Sequence, residues 1–321
     1  MTNVFNHEHL FSLVSVLVLS GSGFVFENPF VLIGDYIKNQ IDQTFNVFSD
    51  APRKLPTPRK FKAVPLEKVS SNLERSLISI CPMEKILGIE CVCSTRYKDV
   101  VVVKNLMMDS MALIAADVIN KDIVVAYRPT LTVKNFVVDM DFIKVQMNNA
   151  PRDVLVHRGF YRHHISIRDR VFNEVKHLLL TPRYSNYTLH LTGFSLGGAI
   201  ATISLPDWKH FMKQHNFGNS IESYTYESPR VGNEQFVKFI ESMDVPVIRY
   251  TFSNDMIPRL PPRALGFTHT GLEYHFDDNH LTQCRQDYDE DSNCALSHKF
   301  PILISSHIFP DGKLIPIPPY C

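Results

Sequence analysis

Charge of one sign is what this sequence most plainly lacks. Its 321 residues carry 33 lysines and arginines against 33 aspartates and glutamates, a formal charge of zero. Without a basic excess there is no electrostatic footprint for nucleic acid, and without an acidic tail there is no charged disordered segment. Internal repeats and low-complexity tracts are missing too, which excludes solenoids and biased linkers. None of the six cysteines falls in a paired CxxC, and the nearby histidines are not at ligand spacing, so no metal site is expected. What remains is the ordinary composition of a globular domain, 45% hydrophobic and 21% charged. At this length it fits one large α/β domain or two small ones.

One uncharged apolar run breaks that pattern. Residues 10–26, LFSLVSVLVLSGSGFVF, contain no charge, and the small residues Ser20 to Gly23 resemble a cleavage region. A secretory signal and a membrane-inserted anchor both take this form, although His7, Glu8 and His9 stand where a basic flank belongs. Pro52, Pro56, Pro58 and Pro65 follow with basic residues between them. Residues 1–64 therefore read as a leader plus linker, and 65–321 as a single domain. No later run is a transmembrane candidate.

The cysteines group as Cys81, Cys91 and Cys93 early and Cys284, Cys294 and Cys321 late. Six reduced core thiols and a set of disulfides both fit this spacing, and the second would imply an oxidising compartment. Asn186 heads the sequon Asn186-Tyr187-Thr188, a glycosylation acceptor in that compartment.

From Pro65 onward, apolar periodicity supplies the elements. Leu66, Val69, Leu73, Leu77 and Ile80 share one helical face, so a helix is predicted from Pro65 to Cys81. Val100 to Val103, Met111 to Ala116 and Ile123 to Tyr127 read as strands, with a turn at Asn120 to Asp122. Tyr161, Ile165, Phe172, Val175 and Leu179 mark a helix over Phe160 to Leu180. Then strands at Thr188 to Thr192, Ile221 to Tyr226 and Pro246 to Phe252 alternate with helices at Gly197 to Leu205 and Asn233 to Met243. Pro206 is placed in a connection. This alternation predicts a mainly parallel sheet with helices on both faces.

The chemistry is concentrated in Thr188-Leu-His-Leu-Thr-Gly-Phe-Ser-Leu-Gly-Gly-Ala-Ile-Ala201. A serine hydroxyl is a weak nucleophile at neutral pH and needs a base, an orienting carboxylate and donors for the oxyanion. Here Gly193-x-Ser195-x-Gly197 follows a strand and opens a helix, the context of a nucleophile elbow. In elbow hydrolases the acid and then the histidine follow in chain order. Asp255 lies just past an apolar strand, at the sheet's carboxyl edge. Five histidines come after it: His269, His275, His280, His298 and His307. His307 ends a buried apolar run, and His298 is the alternative.

Five ordered stretches carry a family resemblance. They are Val125-Ala-Tyr-Arg-Pro-Thr130, Val156-His-Arg-Gly-Phe160, Thr192-Gly-Phe-Ser-Leu-Gly-Gly-Ala199, Ser228-Pro-Arg-Val-Gly-Asn233 and Asn254-Asp-Met-Ile-Pro-Arg-Leu-Pro-Pro262. Across residues 65–321 the chain resembles the fungal class 3 lipases and their yeast relatives, which have an α/β-hydrolase fold. The resemblance implies a triacylglycerol lipase that needs no cofactor and meets lipid ester at a lipid–water interface. It implies Ser195 as nucleophile, Asp255 as acid, His307 as base, and an oxyanion hole from the backbone N–H groups of Leu196 and Thr130. It implies a helical lid after Thr130, where Val133, Phe136, Val137 and Met140 share one face. It pairs Cys81 with Cys321 and Cys284 with Cys294. That leaves Cys91 and Cys93, for which a bridge across a single residue is cramped. It also implies secretion, with anchoring through residues 10–26 as the alternative.

Rival readings keep the chemistry with another ester, as an esterase or phospholipase, or keep the groove without catalysis, as a lipid- or partner-binding relative. Three residues depart from the family pattern: Pro129 and Glu227 where glycine is usual or frequent, and Phe194 where histidine is usual. Phe194 is expected to touch elbow packing and not the proton relay. Asp287, Asp289 and Asp291 alternate between Cys284 and Cys294, but a calcium loop's glycine and distal glutamate are missing, so the loop is read as solvated.

Overall fold

The strands at the centre of the protein are buried along nearly their whole length, and successive side chains pack on opposite faces of the sheet. The structure, a computed structural model, describes residues 53–55, 57, 75, 76, 78–80, 96–130, 141–277, 280–287, 289–297 and 307. All of them belong to one compact unit, Phe45–Cys321. The expected helix from Pro65 to Cys81 lies mostly outside the described residues. So do residues 1–52, the lid residues 131–140, His298, and Cys81, Cys91, Cys93 and Cys321.

The strands are β1 (Tyr97–Asn105), β2 (Ser110–Asp117), β3 (Asp122–Tyr127), β4 (Lys144–Gln146), β5 (Leu155–His157), β6 (Thr188–Phe194), β7 (Ile221–Tyr226), β8 (Val247–Phe252), β9 (Leu272–Asp277) and β10 (His280–Gln283). The helices are α1 (Arg158–Leu180), α2 (Leu196–Gln214) and α3 (Glu234–Glu241). Eight strands form one sheet in the order β1-β2-β3-β6-β7-β8-β9-β10. β3, β6, β7, β8 and β9 run parallel, and β1, β2 and β10 add antiparallel edges. The mainly parallel α/β-hydrolase sheet expected from the sequence is therefore present.

On β2 and β3, Ala112, Ile114, Ala116, Ile123, Val125 and Tyr127 face the core built with α1 and α2. Leu113, Ala115, Val124 and Ala126 face the other way, onto Ile78 and Tyr97. Both sheet faces are thus covered, as near-continuous apolar strands require. Tyr226, Tyr250 and Tyr274 stack across β7, β8 and β9, with centroids 4.9 and 5.8 Å apart. Such cross-strand aromatic pairs help fix the register.

Two expectations are corrected. Pro206 lies inside α2, which continues to Gln214. A mid-helix proline costs roughly 3 kcal/mol, but the turns beyond it bury Trp208, Phe211 and Met212. Trp208 Nε1 donates to the Tyr127 hydroxyl at 3.2 Å and Asp207 meets His164 of α1 at 2.9 Å, so packing holds the helix past the break. The loop between Cys284 and Cys294 is solvated only in part: Arg285, Ser292 and Asn293 are exposed, but Asp289, Glu290 and Asp291 are buried. Arginines explain that burial: Arg263 pairs with Asp289, and Arg230 clasps Glu290 through two bonds of 2.8 Å. The leading stretch joins this loop, with Arg53 N–H donating to Asp289 at 2.7 Å and Leu55 N–H to the Asp287 carbonyl at 2.9 Å. Cys284 and Cys294 are disulfide-bonded, the pairing that the resemblance implied.

Candidate active site

β6 delivers Ser195 to the sheet's carboxyl edge through a turn that only small neighbours permit. Ser195 has φ 54° and ψ −122°, a left-handed conformation that a serine adopts at a cost. A Cβ on Gly193 would sit 2.2 Å from the Gly197 carbonyl carbon, and one on Gly197 would sit 2.0 Å from the Tyr127 carbonyl oxygen. No side chain fits at either position. The glycines therefore let β6 turn straight into α2 while α2 presses against the end of β3. Ser195 N–H donates to the Tyr226 carbonyl at 2.8 Å, which holds the elbow to β7. α2 starts at once, so its unpaired N–H groups and positive dipole end lie beside the hydroxyl.

The register places the expected oxyanion donors near each other. β3 and β6 pair in parallel with Tyr127 opposite Gly193. Thr130 and Leu196 each follow an equal number of residues past that pair, at the same edge. Leu196 is buried and Thr130 half-buried.

Asp255 follows β8 at this edge, and its Oδ1 accepts from Ile257 N–H at 2.9 Å. Its Oδ2 is hydrogen-bonded to His307 Nδ1 across 52 residues of sequence. Both side chains are buried. With Nδ1–H donated to Asp255, Nε2 carries the lone pair that can accept a proton. Among the described residues neither His307 Nε2 nor Ser195 Oγ has a hydrogen-bond partner, although both are buried. The ring of Phe194, the residue before Ser195, packs against the His307 ring with centroids 4.8 Å apart. Phe194 therefore packs on the His307 ring as well as in the elbow, a contact beyond the elbow packing expected for it.

The other described histidines are engaged elsewhere. His269 Nε2 is bonded to the Pro258 carbonyl at 2.6 Å, and burial pushes its pKa well below the usual range. His275 Nδ1 meets Thr251 Oγ1 at 2.9 Å, and His280 is exposed on the edge strand β10. Two groups bring metal-ligating atoms together. Glu273 stands by Cys284 and Cys294, whose sulfurs are bonded to each other, and Asp122 stands by His190 and Glu222. Arg75 already binds Asp122 at 2.8 Å and fills the cationic role there. Asn186 is exposed in the turn before β6. Sequence reasoning did not identify the Arg230 clasp. Arg230 lies within a quoted motif, but only the fold shows that its Nη1 binds the Arg259 and Pro261 carbonyls in the stretch after Asp255.

An elbow serine, a buried carboxyl and an imidazole whose Nε2 has no partner among the described residues form the constellation for nucleophilic acyl transfer. The family described as Lipase (class 3) matches residues 124–265. A lipase of Rhizomucor miehei is 29% identical over 215 residues, which is 65% of this chain and 58% of that protein. A secreted mono- and diacylglycerol lipase A of Penicillium cyclopium is 32% identical over 166 residues, 52% of each chain. The chain thus spans about half the length of the curated relatives it matches. A solved triacylglycerol lipase, described as having a serine protease triad as its catalytic centre, superposes with a TM-score of 0.68 at 25% identity. That superposition covers 80% of this chain and 99% of the other. The Rhizomucor miehei lipase propeptide complex shares the fold with a TM-score of 0.68 at 23% identity, covering 83% of this chain and 89% of that one.

Proposed function

We propose that this chain belongs to the class 3 lipases, whose family model matches residues 124–265, and that it is a serine carboxylic ester hydrolase acting on acylglycerols. The observation that carries the proposal is the Asp255–His307 bond, which leaves Nε2 free in a buried site whose histidine packs on the residue before Ser195. Ser195 Oγ attacks the ester carbonyl carbon while its proton passes to His307 Nε2, and Asp255 stabilises the imidazolium. The backbone N–H groups of Leu196 and Thr130 receive the oxyanion. Collapse expels the alcohol, which takes the proton from His307. Water then attacks the acyl-enzyme, giving one proton to His307 and releasing the fatty acid. That proton returns to Ser195 Oγ, so no cofactor is consumed.

The substrate surface is assigned by position. β1 and β2 pair with Asn105 opposite Ser110, and β2 and β3 with Ala112 opposite Tyr127, so the β1–β2 turn shares the edge of Ser195. Leu106 and Met107 in that turn are 87% and 97% exposed. Apolar side chains projecting beside an ester-cleaving site suit a lipid–water interface. The disulfide and the secreted relatives support export, and the apolar leader at residues 10–26 suits a signal. Among the described residues no helix is long and apolar enough to cross a membrane.

The test is labelling with a serine-directed alkyl phosphonate. The wild type is expected to take up one label and lose hydrolysis of p-nitrophenyl esters, and Ser195→Ala to take up none. Undiminished labelling of a folded Ser195→Ala protein would overturn the assignment.

A further inference from the structure

A second carboxyl group lies against the proposed triad. Glu227 directly follows β7, and its φ of 47° is a conformation that suits glycine better than glutamate. It is fully buried, at 0% exposure. Its Oε1 accepts from Phe252 N–H at 2.6 Å, and Oε2 has no conventional donor among the described residues. The same carboxyl is within hydrogen-bonding contact of Asp255. Two carboxyl groups in contact in a dry site repel when both are ionised, and a proton held between them relieves that repulsion.

The neighbours of each group decide where that proton sits. Asp255 accepts from Ile257 N–H and is hydrogen-bonded to the His307 imidazole. Among the described residues Glu227 accepts from one backbone N–H, that of Phe252. Burial first, and then the charge of Asp255, push the Glu227 carboxyl well above the usual carboxylate range. Glu273 on β9 adds to the push and is itself paired with Arg249 of β8 at 2.9 Å. His275, also on β9, is bonded to Thr251. His307 faces the pair from behind Asp255.

We propose that Glu227 is a positioning residue for the hydrolysis, its protonated carboxyl donating a hydrogen bond that holds the Asp255 carboxylate against His307. The proposal deepens the acyl-transfer reading above and rests on it. It accounts for a strained backbone that glycine would relieve, because glycine has no donor for Asp255. It also gives the site a built-in alkaline limit. A carboxyl whose pKa is raised in the fold stays neutral below that value and ionises as pH climbs through it. Ionised, Glu227 repels Asp255 and loosens the imidazole.

Two variants and two readouts test this. Glu227→Gln keeps a donor of similar shape that does not titrate. It is expected to retain kcat within about threefold and to lose the alkaline limb of the kcat profile seen in the wild type. Glu227→Gly relaxes the backbone but removes the donor, and is expected to lower kcat by roughly tenfold or more with KM unchanged, as for loss of a bond to a charged group. The second readout needs no substrate. The infrared difference between wild type and Glu227→Gln at neutral pH should contain the carbonyl stretch of a protonated carboxylic acid. Absence of that band, an unchanged alkaline limb in Glu227→Gln, or an unaltered kcat in Glu227→Gly would each overturn the proposal. Failure of phosphonate labelling would overturn the hydrolase reading instead, and the infrared band would still report whether the shared proton exists.

Discussion

Replacing Arg230 by methionine tests how the edge carrying Asp255 is held. The guanidinium is fully buried and makes two 2.8 Å bonds to Glu290, one 3.0 Å bond to the Pro261 carbonyl and one to the Arg259 carbonyl. Methionine fills much of the volume but leaves Glu290 as an uncompensated buried charge, a change that costs about 3–5 kcal/mol. For a domain of this size each kcal/mol lowers Tm by about 2–4 °C, so a drop of roughly 6–20 °C is expected in a thermal melt. The pH dependence should also change sign. In the wild type, burial would raise the Glu290 carboxyl, but Arg230 overrides it and holds the group well below the usual range. A depressed acid contributes stability above its unfolded pKa, and that stability is lost as pH falls below about 4.3. In Arg230→Met burial dominates, the pKa is raised, and stability should increase as pH falls from 7 toward 5. Adding Glu290→Leu should restore much of the Tm and remove the acid gain. A single variant within about 1 kcal/mol of wild type, or a double variant no better than the single, would refute the reasoning.

Two other perturbations follow from the site. Gly197→Ala would force a methyl group to within 2.0 Å of the Tyr127 carbonyl oxygen, so phosphonate labelling should fall by at least 100-fold even where the protein folds; a rate near wild type would mean the elbow has slack. Leu106→Ser combined with Met107→Ser removes two exposed apolar side chains. It should weaken binding to phosphatidylcholine vesicles about tenfold or more while leaving hydrolysis of a soluble acetate ester unchanged, and equal vesicle binding would detach this turn from the interface.

The sequence shows most where chemistry and backbone depend on the same few residues. The elbow is legible because a sharp strand-to-helix turn demands glycine on either side of Ser195, and the alternating strands are legible because both sheet faces are dry. His307 stands out by its position after an apolar run, and its Nδ1 is hydrogen-bonded to Asp255 across 52 residues of sequence. Shorter or longer-range features escape such signals. β4 and β5 have three residues each, too few to establish a period. α2 passes through Pro206 because burial beyond the proline outweighs local preference, and local preference is all that a sequence window contains.

Buried acids were the least legible, and they share one physical cause. An aspartate or glutamate in a polar stretch looks solvated until its partner is known, and each partner here is remote in sequence. Glu290 needs Arg230, 60 residues earlier, and Asp255 needs His307. Glu227 meets the carboxyl of Asp255 itself, and burial together with that charge holds it well above the usual carboxylate range. These solutions are linked. Arg230 sits two residues before Gly232 in the connection from β7 to α3, and it binds both Glu290 in the disulfide loop and the carbonyls of the stretch that Asp255 begins. The Ser228 to Asn233 motif therefore acts through this arginine, joining three connections at one edge of the sheet. The proposed acid, Asp255, thus lies between a charge clasp on the stretch that follows it and the buried Glu227 carboxyl. Removing the clasp should loosen the fold, whereas removing the carboxyl should mainly slow the reaction, and that contrast separates the two roles by experiment.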